Sequence, residues 1–321
     1  MNWKRLLFAA PLVALLTVAG FEANPISKSG MIAQTADGVG VSAPETPIEP
    51  VLLLPPSPTD TPAPTATPTL TPVPSRTPTP TATRDVNLRS ARVPILMYHY
   101  ISVPPPDADN VRLDLSVTPA NFQDQMQYLA NDGYHPIRLS DLTNYLRTGK
   151  SLPAKPIVLT FDDGYADNFE NALPVLKKFN FIGTFFVITQ FTDEKRPGYM
   201  TWDQLKELAI EGNEIGSHSM NHVELNSRSR AYLEFEIGES KAMIEARIGT
   251  PVKSFCYPSG KYDARTIAVL RSDGYLAATT EISGVDQSTS DIFELRRIRM
   301  RGSYSVADFA YWLKYWLASG K

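Results

Sequence analysis

Residues 157–176 read IVLTFDDGYADNFENALPVL. Apolar and β-branched residues from Ile157 to Phe161 have the character of a buried strand. They run into two adjacent carboxylates, Asp162 and Asp163, and a turn-forming Gly164, after which apolar positions recur at helical spacing over Asn168–Phe179. The stretch is a strand–turn–helix unit, and its oddity is the acidic pair at the strand end. Two neighbouring anions repel, and each costs several kcal/mol if it is desolvated without a partner. Either the pair sits in a solvated turn, or a positive charge belongs between its members.

The same texture extends through the rest of the chain from Asp85. The strand-like runs VPILMYH, YHPIRL, PIVLTFD, FIGTFFVI, EIGSHS, VKSFCYP, YLAATT and LRRIRMR alternate with helical patterns. Helices are expected from Thr118-Pro119 to Asn131, after a Ser140 cap, over Asn168–Phe179, from Thr201-Trp202, around Ala231–Ile248, over Asp263–Ser272 and over Val306–Ala318. Repeated β-then-α units predict a parallel sheet with helical crossovers, and their number favours a barrel or distorted barrel over an open sheet. In such barrels the chemistry collects where the strands end.

Upstream the composition changes. Lys4 and Arg5 precede an apolar run from Leu6 to Gly20, which as a helix spans roughly 22 Å against the ~30 Å hydrocarbon core. Residues 1–20 therefore read as a secretory signal peptide, with an uncleaved signal anchor as the alternative. Residues 21–43 form a short variable segment. Thirteen of the 27 prolines fall between Pro44 and Pro80, so residues 44–84 are expected to be a Thr/Pro-rich extended linker. Residues 85–321 are expected to form one catalytic domain. Cys256 is the only cysteine, so no disulfide is available and the core alone must hold an exported domain together. A net charge of −3 gives no reason to expect nucleic acid.

The chain has four histidines, at 99, 135, 218 and 222. His99, His218 and His222 each fall just after an expected strand. His218 and His222 are four apart, so on one helical turn they would face the same way. Two imidazoles and one carboxylate make a three-ligand site with an open position, the pattern of a catalytic divalent ion. That resolves the acidic pair. One aspartate binds the cation, whose field lets its neighbour stay anionic and act on a bound water. Zinc suits such ligands best, although cobalt or nickel would also fit.

TFDDG, HSMNH and the SFCYPSG segment resemble the motifs of the polysaccharide deacetylase (NodB-homology) domain of carbohydrate esterase family 4, over roughly Val93 to Arg301. The resemblance implies a distorted (β/α) barrel of about seven strands. It makes Asp163, His218 and His222 the metal ligands and Asp162 the general base, with Ser259 and Tyr257 at the oxyanion and substrate side. The pattern also departs from the family. Cys256 stands where the family's third motif carries an Arg, and no histidine follows His222 to serve as the C-terminal acid. The opening PILMYHYIS instead resembles the poly-β-1,6-N-acetylglucosamine deacetylase branch, which implies His99 as the acid. Arg297, on LRRIRMR, is the candidate replacement for the missing base-orienting Arg.

The expected function is hydrolytic deacetylation of an acetylated glycan by a monomeric, extracytoplasmic enzyme, secreted or at the cell surface, with membrane attachment only through an uncleaved N-terminal anchor. An O-acetyl esterase using the same site and a glycan-binding descendant without chemistry are the alternatives. Asp-Asp-Gly alone is often a plain turn, His135 reads as structural, and Cys256 reads as a small buried hydrophobe.

Overall fold

The computed structural model describes residues 88–319. The expected signal segment, variable segment and Thr/Pro-rich linker, and with them the expected domain boundary at residue 85, lie outside the described residues. The strands run β1 (Ser90–Arg92), β2 (Ile95–Tyr98), β3 (His135–Ile137), β4 (Pro156–Phe161), β5 (Thr184–Val187), β6 (Glu214–Ser217), β7 (Ser254–Cys256), β8 (Ala277–Ser283), β9 (Asp286–Ser288) and β10 (Leu295–Arg299). Between and after them lie α1 (Asn110–Leu115), α2 (Pro119–Asn131), α3 (Leu139–Thr148), α4 (Leu173–Phe179), α5 (Thr189–Asp193), α6 (Trp202–Ile210), α7 (Arg230–Leu233), α8 (Ser240–Ile248), α9 (Ala264–Ser272) and α10 (Val306–Ser319).

Seven strands close a parallel ring in the order β2-β10-β8-β7-β6-β5-β4, and β4 returns to β2. The closing pair is in register from Ile95 opposite Val158 to Tyr98 opposite Phe161. β3 pairs with the first residues of β4, outside that ring order. β1 and β9 form a separate antiparallel ribbon. The architecture is the distorted (β/α) barrel expected.

Strand side chains alternate between faces. Tyr98 and Phe161 pack on Phe122 of α2, at ring separations of 5.3 and 5.8 Å, so they face the helical layer. Thr160 and Asp162 alternate with Phe161 and point the other way, to Arg297 in the barrel interior. Each fully buried aliphatic or aromatic side chain contributes about 1.5–3 kcal/mol, and strand residues from Ile95 to Ile298 share one such core.

At the N-terminal end of the barrel a buried carboxylate ties three elements together. Glu214 accepts from the Ser140 amide at 2.8 Å, from Ser254 Oγ at 2.5 Å and from Thr184 Oγ1 at 3.4 Å. Burial pushes its pKa above the usual carboxylate value, against the pull of those bonds.

Three local expectations are corrected. α3 is capped by Arg138 rather than Ser140, because Asp141 Oδ2 reaches back to the Arg138 backbone N–H, while the Ser140 amide is taken by Glu214. The helix expected over Asn168–Phe179 opens with a wider π turn over Asn168–Ala172. Pro174 has no N–H to give, and the Leu173 N–H reaches back five residues to the Asn168 carbonyl. The long helix around Ala231–Ile248 likewise contains a π segment, Glu234–Glu239.

Candidate active site

The site is assembled where the parallel strands end. Asp162 follows β4, and its amide donates to the Tyr98 carbonyl of β2 at 2.9 Å. Asp163 and Gly164 then adopt consecutive left-handed conformations, with φ of 72° and 78°. Aspartate tolerates this region better than most residues. The reversal sends the two neighbouring carboxylates to different partners.

Asp162 turns to Arg297 on β10. Arg297 Nη1 donates to Asp162 Oδ1 at 2.8 Å and to Thr160 Oγ1 at 3.1 Å, and Nε donates to the Thr280 carbonyl at 2.8 Å. Arg297 is 1% exposed and Asp162 2%, so this is a buried, hydrogen-bonded ion pair. Burial raises the Asp162 pKa, but the Arg297 and His99 charges outweigh it and hold the carboxyl below its usual value.

Asp163 turns to the histidines. Its Oδ1 lies 3.2 Å from His218 Nε2 and 3.3 Å from His222 Nε2. The expectation that these histidines share a helical turn is wrong. Residues 218–223 are a loop, with Ser219 and His222 left-handed at φ of 65° and 58°. The loop is held by the buried Glu236 of the π segment, whose carboxylate accepts from the Asn221 backbone N–H at 2.9 Å and from its Nδ2 at 3.0 Å. The two imidazoles still meet, with centroids 4.8 Å apart and planes at 71°.

The donor set fits a cation. His218 Nδ1 lies 2.8 Å from the Cys256 carbonyl, which can only accept, so Nδ1 carries the hydrogen and Nε2 presents a lone pair. In the neutral ring that lone pair faces the Asp163 carboxylate, an arrangement that repels unless a proton or a metal cation enters between them. One ligand atom from each of Asp163, His218 and His222 lies within 4.8 Å of the others. Burial would lower the His218 pKa, yet Cys256 and Asp163 beside it push it well above the ordinary value. The same field favours any positive charge at that point.

The cavity over these groups has a volume of about 300 Å³. His99, Asp162, Asp163, His218 and His222 line it, together with Ser259 and Tyr257. His99, at the end of β2, is 7% exposed, and its Nε2 lies 3.9 Å from Asp162 Oδ2. Burial lowers its pKa despite the two aspartates. The Tyr257 hydroxyl is already committed to the Phe293 carbonyl at 2.9 Å, which leaves its ring, stacked on Tyr262, as its contribution. Ser259 sits in the short turn after β7 with φ of 51°. Tyr98 is core, with its hydroxyl on Gln125. His135 pairs with the Ala154 carbonyl, away from the site.

A family model described as polysaccharide deacetylase matches residues 149–278. The protein YxkH of Bacillus subtilis, named for polysaccharide deacetylase activity, is 30% identical over 226 residues, covering 70% of this chain and 77% of that protein. The chain belongs to the polysaccharide deacetylase family. Among other members, the Escherichia coli poly-β-1,6-N-acetyl-D-glucosamine N-deacetylase is 24% identical over 237 residues, 61% of this chain but 35% of its own length. The Streptococcus pyogenes deacetylase PplD, solved with acetate, superposes with a TM-score of 0.64 at 28% identity, covering 70% of this chain and 98% of that one. Polysaccharide deacetylases are hydrolases of N-acetyl amide bonds, which places this chain among enzymes.

Sequence reasoning missed several residues around the site. Glu236 gave no signal, because a glutamate in a helical pattern reads as solvent-facing. Asn168, which donates to the His99 carbonyl at 2.7 Å, looked like a helix start. Val111 and Leu115 of α1 also line the cavity, as do Glu281 and Arg299, which form a pair at 3.1 Å.

Proposed function

We propose that this chain removes acetyl groups from an N-acetylglucosamine-type polysaccharide outside the cytoplasm, using a divalent ion held by Asp163, His218 and His222. The observation that carries the reading is the divergence of the acidic pair, one aspartate facing two imidazoles and the other gripped by a buried arginine. The E. coli relative, named for poly-β-1,6-N-acetyl-D-glucosamine, supports the substrate class. Among the described residues no helix is long and apolar enough to cross a membrane.

When bound, the ion, for which zinc is the best match to the ligands, supplies Lewis acidity, polarising a carbonyl oxygen and lowering the pKa of a nearby water. Asp162, kept anionic by Arg297, takes a proton from the attacking water through Oδ2. The backbone N–H of Ser259 donates to the oxygen that becomes negative as the acetamide carbon turns tetrahedral. His99 gives a proton to the departing amine, and its burial-lowered pKa makes its protonated form a readier acid toward nitrogen. The Tyr257 ring closes the cavity beside the reacting group.

The test is acetate release by the full chain from acetylated glycans, namely N-acetylglucosamine oligomers, peptidoglycan fragments and acetylated xylan, with and without a chelator. The reading expects amide hydrolysis on an N-acetylglucosamine polymer, abolished by chelation and restored by zinc. Release from xylan alone would replace it with ester chemistry, and no release from any glycan with zinc bound would leave only a glycan-binding role.

A further inference from the structure

We propose that Cys256 is a positioning residue for this reaction, its thiol fixing the orientation of the Asp162 carboxylate by bridging it to Arg297. The proposal rests on the reading of Asp162 as the base. Cys256 is fully buried at the end of β7. Its Sγ donates to Asp162 Oδ2 at 3.5 Å and accepts from Arg297 Nη2 at 3.2 Å. Arg297 Nη1 holds the other oxygen, Oδ1, at 2.8 Å. Asp162 is therefore held at both oxygens from two different strands.

A carboxylate gripped at one oxygen can still turn about its last side-chain bond, a torsion with broad wells. The second contact removes that freedom and fixes which oxygen faces the cavity. That oxygen is Oδ2, 3.9 Å from His99 Nε2. A thiol is a weak donor, so it steers Oδ2 without reducing its basicity as a strong donor would. It also gives the buried Arg297 Nη2 a partner. The same residue's backbone acts on the other half of the site, since its carbonyl accepts from His218 Nδ1 at 2.8 Å. The side chain and carbonyl of one residue thus set the carboxylate orientation and the imidazole tautomer.

Three variants and one spectrum test this. Cys256→Ser keeps a donor and an acceptor, Cys256→Ala removes both, and Cys256→Val removes both while filling the space. A buried hydrogen bond of ordinary strength corresponds to roughly a two- to tenfold effect. On an N-acetylglucosamine oligomer we expect kcat to fall about tenfold in the Ala and Val variants and less than about threefold in the Ser variant, with KM unchanged within about twofold. Wild-type kcat in Ala or Val, or an equal loss in Ser, would overturn the proposal. So would loss of bound zinc in the Ala variant, because the effect would then run through His218. The infrared S–H band needs no activity, so it judges the cysteine even if the wild-type chain deacetylates none of the glycans tried. The band belongs to Cys256 alone, the only cysteine in the chain. It should lie lower in the folded protein than in the urea-unfolded chain, and should return toward the unfolded position in Asp162→Ala. A folded band at the unfolded position, or none at all, would refute S–H donation to Asp162.

Discussion

Replacing Arg297 with methionine keeps much of the side-chain volume and deletes the guanidinium. Four contacts vanish, to Asp162, Thr160, the Thr280 carbonyl and Cys256. The largest effect is on Asp162, which at 2% exposure becomes a buried anion without its counter-ion. Removing one partner of such a pair costs about 3–5 kcal/mol, a large share of the roughly 5–15 kcal/mol that holds a domain folded. Asp162→Asn alone should cost less, about 2 kcal/mol, since its amide oxygen still accepts from the guanidinium. In the double variant the charges are gone together, and the losses should fall short of the sum by about 2 kcal/mol or more. Urea unfolding followed by the fluorescence of Trp202, Trp312 and Trp316 measures all four corners of the cycle. Strictly additive losses would refute the reasoning that the pair is a single electrostatic unit. Turnover adds a second reading. If the arginine keeps the base anionic and aimed, Arg297→Met should lower kcat by about 10²–10⁴, and undiminished acetate release would remove that role.

His99→Ala should lower kcat on an N-acetylglucosamine oligomer by about 10²–10⁴, and by much less on an O-acetyl ester, whose leaving group needs little acid help; comparing the two substrates in one variant checks this. His222→Ala, whose side chain is 32% exposed, should leave the circular dichroism spectrum unchanged while bound zinc falls from about one per chain to a small fraction, as read by elemental analysis. Glu214 has a folded pKa raised by burial, so its contribution is full below the unfolded value of 4.5 and is lost as pH rises through the folded one. The stability of the wild type minus that of Glu214→Gln should therefore decline as pH rises above about 4.5, and a flat difference in urea midpoints would contradict it.

Much of this was legible in the sequence because strong local signals and the global fold agree. Thr118-Pro119, Thr201-Trp202 and Asp263 announced helix starts, and each caps its helix. Asp162 and Asp163 stood out because adjacent anions after a buried strand need a reason. What escaped lacked periodicity or depended on distant partners. Helix α1 buries none of its own residues, so no apolar stripe marks it. β1 and β9 are polar three-residue strands that exist only because they find each other. The loop bearing His218 and His222 is shaped by two left-handed residues and by Glu236, none of which a four-residue spacing reveals. Arg297 could be named as a strand-borne arginine. Which of the alternating arginines points inward, though, follows from the register of β10 against β8, with its irregularity between Leu295 and Arg297.

The ring of strands has no beginning. β2, which carries His99 at its end, lies between β10, which carries Arg297, and β4, which carries Asp162. The ring's first strand in the chain and its last therefore lie side by side and bring side chains to the same carboxylate, although almost two hundred positions separate them. On a closed wall of this kind, side chains from strands far apart in the chain arrive beside one another as readily as those from consecutive strands. Which groups can act together is set by position around the ring and not by the linear order of the motifs that carry them.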